Sequence, residues 1–118
     1  MRIFYYLSSC DTCKRIAKEL LINDTISQID IKKNPITESQ LEILYEIVGS
    51  YEDLINKRAK IFKQYNLKDQ NLNEDDYKAL LLEHYTFLKR PLLIFDKTIF
   101  IGNSAKTVMA AKVFLNEQ

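Results

Sequence analysis

The stretch "RIFYYLSSCDTCK" (residues 2–14) contains a change from one spacing of apolar residues to another. Residues 2–7 are rich in Ile, Phe, Tyr and Leu without alternation, which is typical of a short strand buried on both faces. After Ser8 and Ser9 the apolar residues recur at helical spacing, at Ile16, Leu20 and Leu21. The stretch therefore predicts a strand, a tight turn and then a helix.

Two cysteines, Cys10 and Cys13, lie at this turn, and their spacing admits several interpretations. A structural zinc site needs four protein ligands, but the only further cysteine or histidine is His84. A permanent disulfide is typical of secreted chains and of domains with little core. A pair of small core residues is also compatible with the pattern, since free cysteine packs well in apolar surroundings. The remaining interpretation is a reactive thiol.

The setting of Cys10 favours a reactive thiol. At the N-cap of a helix, unpaired backbone N–H groups and the positive end of the helix dipole stabilise a thiolate. Cys13 lies one turn further on, where it can attack a mixed disulfide or a sulfenic acid formed at Cys10. Ser9, Thr12 and Lys14 line the same turn and are candidate anion-binding residues, although ordinary loop and cap chemistry explains them equally well.

Composition sets the broad class of the protein. A chain of 118 residues with 47% hydrophobic content suits one domain with a continuous core. Seventeen Lys and Arg oppose sixteen Asp and Glu, so no overall field draws the chain to nucleic acid or to an anionic membrane. No leader pattern or apolar stretch of about 20 residues is present. We expect a cytoplasmic protein without direct nucleic-acid or membrane binding, and without a bound metal or cofactor.

The middle of the chain carries helix start and stop signals. Residues 25–31 suggest a second strand, which ends before Asn34-Pro35. Capping boxes at Thr37/Gln40 and Asn73/Asp76 begin helices, Gly49 is placed to end the first of them, and Ser50 with Asp53 begins a short one. We therefore expect three or four helices over residues 37–86. His84 is interpreted as a packed or helix-end residue.

The last third returns to strands. Residues 90–95 and 98–102, separated by Asp96-Lys97, predict a β-hairpin. Ser104 can cap a final helix whose buried face is expected to hold Ala105, Val108, Met109 and Val113. The order β-α-β-(helical insertion)-β-β-α predicts an α/β, thioredoxin-like or glutaredoxin-like mixed sheet. The prediction is a single domain over 1–118 with its insertion at about 37–86.

Three segments together resemble a known family. They are Cys10–Cys13 after the first strand, "INKRAKIFKQYNL" (55–67) and "LKRPLLI" (88–94) before the hairpin. The chain is similar to the arsenate reductase-like family, a thioredoxin-superfamily branch that also contains Spx-type transcriptional regulators. The resemblance implies that Cys10 is the nucleophile, that Arg90 binds an oxyanion or the thiolate, and that Pro91 is cis.

The resemblance also implies a reaction and its partners. A small oxyanion such as arsenate, or a thiol substrate, would react with Cys10. Cys13 would then resolve the adduct and leave a Cys10–Cys13 disulfide. Glutathione, glutaredoxin or thioredoxin would supply the electrons. The expected activity is that of a thiol–disulfide oxidoreductase.

The sequence departs from arsenate reductases at two positions where arginines are expected, Asn56 and Gly102. Arg58 is displaced by two residues and is a candidate anion ligand, or else part of a solvated helix face. The segment "KRAKIFKQ" (57–64) is more similar to Spx-type proteins. The alternative hypothesis is therefore a redox-sensing regulator that binds RNA polymerase through the helical insertion. Arg90 needs a charged partner under either hypothesis, because a buried strand follows it.

Overall fold

The computed structural model describes all 118 residues and divides them into two compact units. The first unit consists of residues 1–34 and 90–118, and the second of residues 35–89. The second unit therefore includes the whole of the predicted helical insertion. That the two units form one domain stays a prediction.

A four-stranded mixed sheet forms the centre of the first unit. Its strands are β1 (Arg2–Tyr6), β2 (Ser27–Asp30), β3 (Leu92–Phe95) and β4 (Thr98–Ile101), in the order β2-β1-β3-β4. Strand β1 pairs parallel with β2 and antiparallel with β3, and β3 pairs antiparallel with β4. The predicted fold class, element order and hairpin are confirmed, with strands one to three residues shorter than expected.

Two helices complete the first unit, α1 (Asp11–Glu19) and α5 (Ala105–Asn116). One apolar cluster joins both helices to the sheet. Its buried members are Phe4, Ile16, Leu20, Ile26, Leu93, Phe95, Val108 and Ala111. At roughly 25 cal/mol per Å² of apolar surface, such a cluster is the main source of stability in a unit of this size. Ile16 and Leu20 contribute to it, so the cluster holds α1 against the sheet.

Some expected core positions are exposed. Met109 is 57% exposed and Val113 is 49% exposed, so their assignment to the buried face of α5 was wrong. A helix turns by about 100° per residue, and the face that packs on the sheet is set by Val108 and Ala111. Leu21, also expected on a buried face, is 75% exposed, because it follows the end of α1 with a φ of 56°.

The second unit is helical. It contains α2 (Glu38–Val48), α3 (Lys60–Gln64) and α4 (Glu74–Glu83), with 3₁₀ turns at Glu52–Leu54, Leu67–Asp69 and Tyr85–Phe87. Both predicted capping boxes are present, at Thr37 and Asn73. Gly49 ends α2 in the left-handed conformation, with φ of 80°. His84 ends α4, and its Nδ1 accepts the backbone N–H of Thr86, which confirms the helix-end interpretation.

None of the helices is both long and apolar enough to cross a membrane.

Candidate functional site

Cys10 is the N-cap residue of α1, as the sequence predicted. It closes a tight turn in which its backbone N–H donates to the Leu7 carbonyl at 3.0 Å. Its own backbone is extended, with φ of −97° and ψ of 110°, and its carbonyl accepts the first helical hydrogen bond from the Lys14 N–H at 3.2 Å. The thiol is therefore placed at the end of the helix where backbone N–H groups lack partners.

The environment of Cys10 favours its thiolate. Partial burial acts to raise the pKa of Cys10, but hydrogen bonds from the backbone N–H and thiol of Cys13, the charge of Arg90 and the Thr12 N–H together lower it. Thr12 and Cys13 occupy the second and third helical positions, whose N–H groups an N-cap side chain normally accepts. The Cys10 side chain makes no capping hydrogen bond, but the N–H groups of the helix start lower its pKa and so favour its charged form.

Cys13 has the opposite environment. Its side chain is fully buried on the inner face of α1 and forms no disulfide with Cys10. Burial, together with the hydrogen bond to Cys10 and its developing charge, raises the pKa of Cys13 to about 11. The structure therefore distinguishes a partly exposed sulfur with a lowered pKa from a buried one that keeps its proton at neutral pH.

Arg90 brings a positive charge to both sulfurs. It precedes β3 and is joined to Pro91 by a cis peptide bond, as the resemblance implied. Its charge acts to lower the pKa of Cys10 and that of Cys13. The Nε and Nη1 atoms are buried and have no hydrogen-bond partner in the protein. Because an unpaired buried donor is costly, these atoms are suited to a thiolate or a bound anion.

The other candidate residues are distributed differently. Thr12 belongs to the site with Cys10, Cys13 and Arg90, because its backbone N–H acts to lower the pKa of Cys10. Ser9 and Lys14 are exposed and make no side-chain hydrogen bond or ion pair. Pro91 is buried, and its carbonyl accepts the Gly102 N–H at 2.9 Å, so its contribution is to the backbone. Arg58 is an exposed residue of the second unit, and its role as an anion ligand stays a prediction.

Asn56 and Gly102, the two positions where arginines are expected, have structural roles of their own. The Asn56 side chain accepts the Arg58 backbone N–H at 3.1 Å, and the Asn56 backbone N–H donates to the Phe87 carbonyl at 2.7 Å. Gly102 has φ of 92°, and a Cβ built on it would meet no atom within 4 Å. Neither residue supplies a charge for an oxyanion.

The basic segment of the second unit lies around a shallow depression of about 570 Å³. Lys57, Lys63 and Lys68 line it, with Phe62 and Tyr77 among its apolar residues. Lys57 is paired with Glu52 at 2.5 Å, whereas Lys63 and Lys68 form no ion pair. The segment is thus largely a solvated surface, with two unpaired cations at this depression. No group of three or more His, Cys, Asp or Glu side chains is arranged to hold a metal ion.

Sequence reasoning missed two residues, Asp30 and Ser8, that hydrogen-bond to each other beside the cysteine turn. Asp30, at the end of β2, is a buried carboxylate, and it accepts hydrogen bonds from Ser8 in the turn before Cys10. The available signal was a lone acid inside an apolar strand pattern, "QIDI" (28–31). A buried acid requires partners, but the sequence does not say which residues provide them.

Comparisons with known proteins agree with this geometry. A family model described as "ArsC family" matches residues 5–111. The chain is 28% identical to the global transcriptional regulator Spx 2 of Bacillus cereus, over 98% of this chain and 94% of that protein. It is 30% identical to Spx 2 of Oceanobacillus iheyensis, over 86% of this chain and 77% of that protein.

Among solved structures, an arsenate reductase from Vibrio cholerae superposes with a TM-score of 0.76. The match covers 93% of this chain and 96% of that one at 20% identity, so this likeness shows the fold alone. The family model, however, spans most of the sequence and includes the cysteine turn, Arg90 and the hairpin. The chain therefore belongs to the ArsC family, within the arsenate reductase and Spx branch of the thioredoxin-like superfamily.

Proposed function

We propose that this protein is a thiol–disulfide oxidoreductase in which Cys10 is the nucleophile and Cys13 the resolving thiol. The observation that carries the proposal is the contrast between the two sulfurs. Cys10, at the N-cap of α1, has a lowered pKa, whereas the buried Cys13 has a pKa of about 11. A nucleophile must be ionised at working pH, but a resolving thiol benefits from staying protonated until the first step is complete.

The reaction proceeds in two displacements. The Cys10 thiolate attacks one sulfur of a substrate disulfide, forms a mixed disulfide and releases the other sulfur as a thiolate, which takes a proton from solvent. Cys13 then loses its proton and attacks the Cys10 sulfur, which forms the Cys10–Cys13 disulfide and releases the second substrate thiolate. The substrate gains two electrons, the protein loses two, and thioredoxin, glutaredoxin or glutathione would restore the dithiol.

A small oxyanion is a second class of substrate for the same residues. With arsenate, the Cys10 thiolate would bond to arsenic as one protonated oxygen leaves as water. Attack of Cys13 on the Cys10 sulfur would then release arsenite, with arsenic reduced by two electrons and both sulfurs oxidised. Arg90 would hold the oxyanion through its unpaired Nε and Nη1 donors. Because only one guanidinium would hold the oxyanion, we expect a disulfide to be a better substrate than arsenate.

Trapping experiments test the assignment of the two cysteines. Cys13→Ser should accumulate a mixed disulfide with glutathione or a substrate thiol at Cys10, whereas Cys10→Ser should not, as measured by intact-protein and peptide mass spectrometry. Turnover is measured as NADPH consumption coupled through thioredoxin or glutaredoxin, with a small disulfide or arsenate as substrate. Equal trapping by both variants would overturn the assigned roles.

The contribution of Arg90 is tested with Arg90→Gln. Because its guanidinium charge acts to lower the pKa of Cys10, the variant should have a higher Cys10 pKa and slower alkylation by iodoacetamide at pH 7. Arg15→Gln, which changes an exposed arginine that is paired with Glu19, is the matched control. An unchanged pH–rate profile in Arg90→Gln would contradict the role of Arg90 as a thiolate partner.

A redox-sensing regulator is the second candidate function, and a specific observation favours it. Both curated relatives described above are global transcriptional regulators. The protein also lacks arginines at Asn56 and Gly102. In this function, oxidation of Cys10 and Cys13 to a disulfide would switch binding to RNA polymerase. Binding of the reduced and oxidised protein to purified RNA polymerase, measured side by side, tests this. No binding in either state would reject it.

A further inference from the structure

The Asp30 carboxylate makes a set of hydrogen bonds that the proposed reaction does not use. The residue is 6% exposed and ends β2, where it lies opposite Tyr6 of β1. Its Oδ1 accepts the backbone N–H groups of Ser8 at 3.4 Å and Lys32 at 3.2 Å, and its Oδ2 accepts the Ser8 hydroxyl at 2.5 Å. Three donors thus converge on one buried carboxylate.

Ser8 is the residue through which Asp30 reaches the cysteines. It occupies the second position of the turn Leu7–Cys10, which the Cys10 N–H closes on the Leu7 carbonyl at 3.0 Å. The Leu7 backbone also lies near the Cys13 sulfur, where it acts to lower the pKa of that thiol. The same four residues therefore determine where the Cys10 sulfur lies and contact the Cys13 sulfur. A displacement of Ser8 would change both positions.

We propose that Asp30 is a positioning residue: by holding Ser8, it fixes the turn that places the Cys10 sulfur at the first N–H groups of α1. This inference rests on the proposed function, in which Cys10 is the nucleophile. Two sets of contacts support it. Asp30 accepts hydrogen bonds from both the backbone N–H and the hydroxyl of Ser8. Asp30 is itself held in place by the Lys32 N–H, which donates to its carboxylate, and by the Asn34 N–H, which donates to its carbonyl at 2.8 Å.

The direction of the effect separates positioning from a direct effect of charge. If Asp30 acted on Cys10 through its negative charge, removing it would favour the thiolate and lower the pKa of Cys10. If Asp30 acts through the turn, removing it displaces the sulfur from the Thr12 and Cys13 N–H groups and raises that pKa. Hydrogen bonds from Ser8, above all its hydroxyl, lower the pKa of Asp30 itself, with Lys33 adding a smaller contribution, so the carboxylate is ionised at pH 7.

The experiment compares the pH dependence of Cys10 alkylation by iodoacetamide in four full-length variants. Asp30→Ala removes every acceptor, Ser8→Ala removes only the hydroxyl, and Asp30→Asn keeps an acceptor and can still pair with Ser8. Asp24→Ala changes an exposed carboxylate of the same unit and is the control. Alkylation of Cys10 is followed by peptide mass spectrometry, and folding is checked by circular dichroism.

We expect alkylation of Asp30→Ala at pH 6 to be at least about threefold slower than that of the wild type, since the thiolate fraction falls as the pKa rises. Alkylation of Cys10 should also be slower in Ser8→Ala. In Asp30→Asn and Asp24→Ala its rate should stay near that of the wild type. If Asp30→Ala does not fold, the pH dependence of Cys10 alkylation in Ser8→Ala tests the inference in its place.

Two results would overturn the inference. One is a wild-type profile in folded Asp30→Ala, or in Ser8→Ala if Asp30→Ala does not fold. The other is a lower Cys10 pKa in Asp30→Asn, which would indicate an effect of charge. A wild-type protein without a reactive Cys10 would instead overturn the proposed function, so the two failures are distinguishable.

Discussion

Helix α1 begins differently from helices α2 and α4. In α2, the Thr37 side chain accepts the Gln40 N–H at 3.1 Å and the Gln40 side chain accepts the Thr37 N–H at 3.0 Å. In α4, Asn73 and Asp76 make the same pair of bonds, both at 2.9 Å. In α1 the N-cap is Cys10, and its side chain makes no capping hydrogen bond. Under the proposed function, the same position serves stability in the second unit and reactivity in the first.

The third helical position shows the same contrast. Gln40 and Asp76 reach back to cap their helices, whereas Cys13 is buried beneath the helix start. Helix α1 therefore leaves its first N–H groups available to a sulfur that gains most from them when it is charged. Its stability comes instead from Cys13 and Ile16 packed against the sheet. Helix α1 therefore lacks the capping box that stabilises the starts of α2 and α4.

Cys10→Ser should have the largest effect, because it converts the start of α1 into one like that of α2. Alkylation at pH 7 should then depend on Cys13, of which only about one part in ten thousand is ionised when its pKa is about 11. The free energy of unfolding should rise by about 0.5–1 kcal/mol, since serine is a good N-cap. Iodoacetamide kinetics and urea unfolding measure the two effects. Fast residual alkylation would show that Cys10 is not the reactive thiol.

Alkaline pH should lower the free energy of unfolding, because Cys13, at the third helical position of α1, ionises more easily in the unfolded chain. The pKa of Cys13 is about 11 in the folded protein against an ordinary value of 9.0, so the unfolded chain loses this proton first as pH rises. Cys13 therefore contributes on the order of 2 kcal/mol to the free energy of unfolding. This contribution is fully present below about pH 8.5 and is lost as the pH rises to about 11.

Urea unfolding of the wild type and Cys13→Ala at pH 8 and pH 10.5 measures this contribution. Burial also raises the pKa of Tyr5, so both proteins should lose stability, and the difference between them reports Cys13. Parallel losses in the two proteins would contradict the prediction.

Thr37→Ala and Asn73→Ala should each lower the free energy of unfolding by about 1 kcal/mol, because each removes one half of a capping box. Neither should change the alkylation rate of Cys10. Thermal unfolding and iodoacetamide kinetics on the same samples test both statements. A changed Cys10 rate in either variant would mean that the helix starts of the second unit influence the cysteine turn.

The ends of the helices should give the smallest effect. Helix α2 ends at Gly49, whereas α1 is followed by Leu21, which takes a φ of 56° while 75% exposed. Leu21→Gly relieves the strain of this left-handed conformation but adds freedom to the unfolded chain, so a net gain of about 0.5 kcal/mol is expected. Urea unfolding measures it, with Leu82→Gly inside α4 as the destabilising control. A loss of stability in Leu21→Gly would contradict the assignment of strain.

Local signals predicted much of this molecule. The capping boxes, the Gly49 stop, the hairpin and the N-cap position of Cys10 each depend on residues within a few positions of one another, and all are present. Periodicity was less reliable at Met109, because an apolar residue near the edge of a helix face is buried only if the sheet extends beneath it.

The long-range contacts could not be predicted from the sequence. Ser8 and Asp30 are 22 residues apart and meet only because β1 and β2 pair in parallel at one register. The unpaired donors of Arg90 likewise depend on what packs around β3, which no local pattern specifies. The sequence indicated that an acid and an arginine lay near buried strands, but the partners follow from topology.

The hydrogen bonds of Asn56 bear on how this chain could change in evolution. Its side chain holds the Arg58 backbone at 3.1 Å, so replacement by arginine would remove a turn contact before any new oxyanion ligand was gained. Gly102 differs, because a new side chain there would meet open space and only the positive φ would oppose it. An arginine would therefore be accommodated more easily at Gly102 than at Asn56, whose side chain supports a turn.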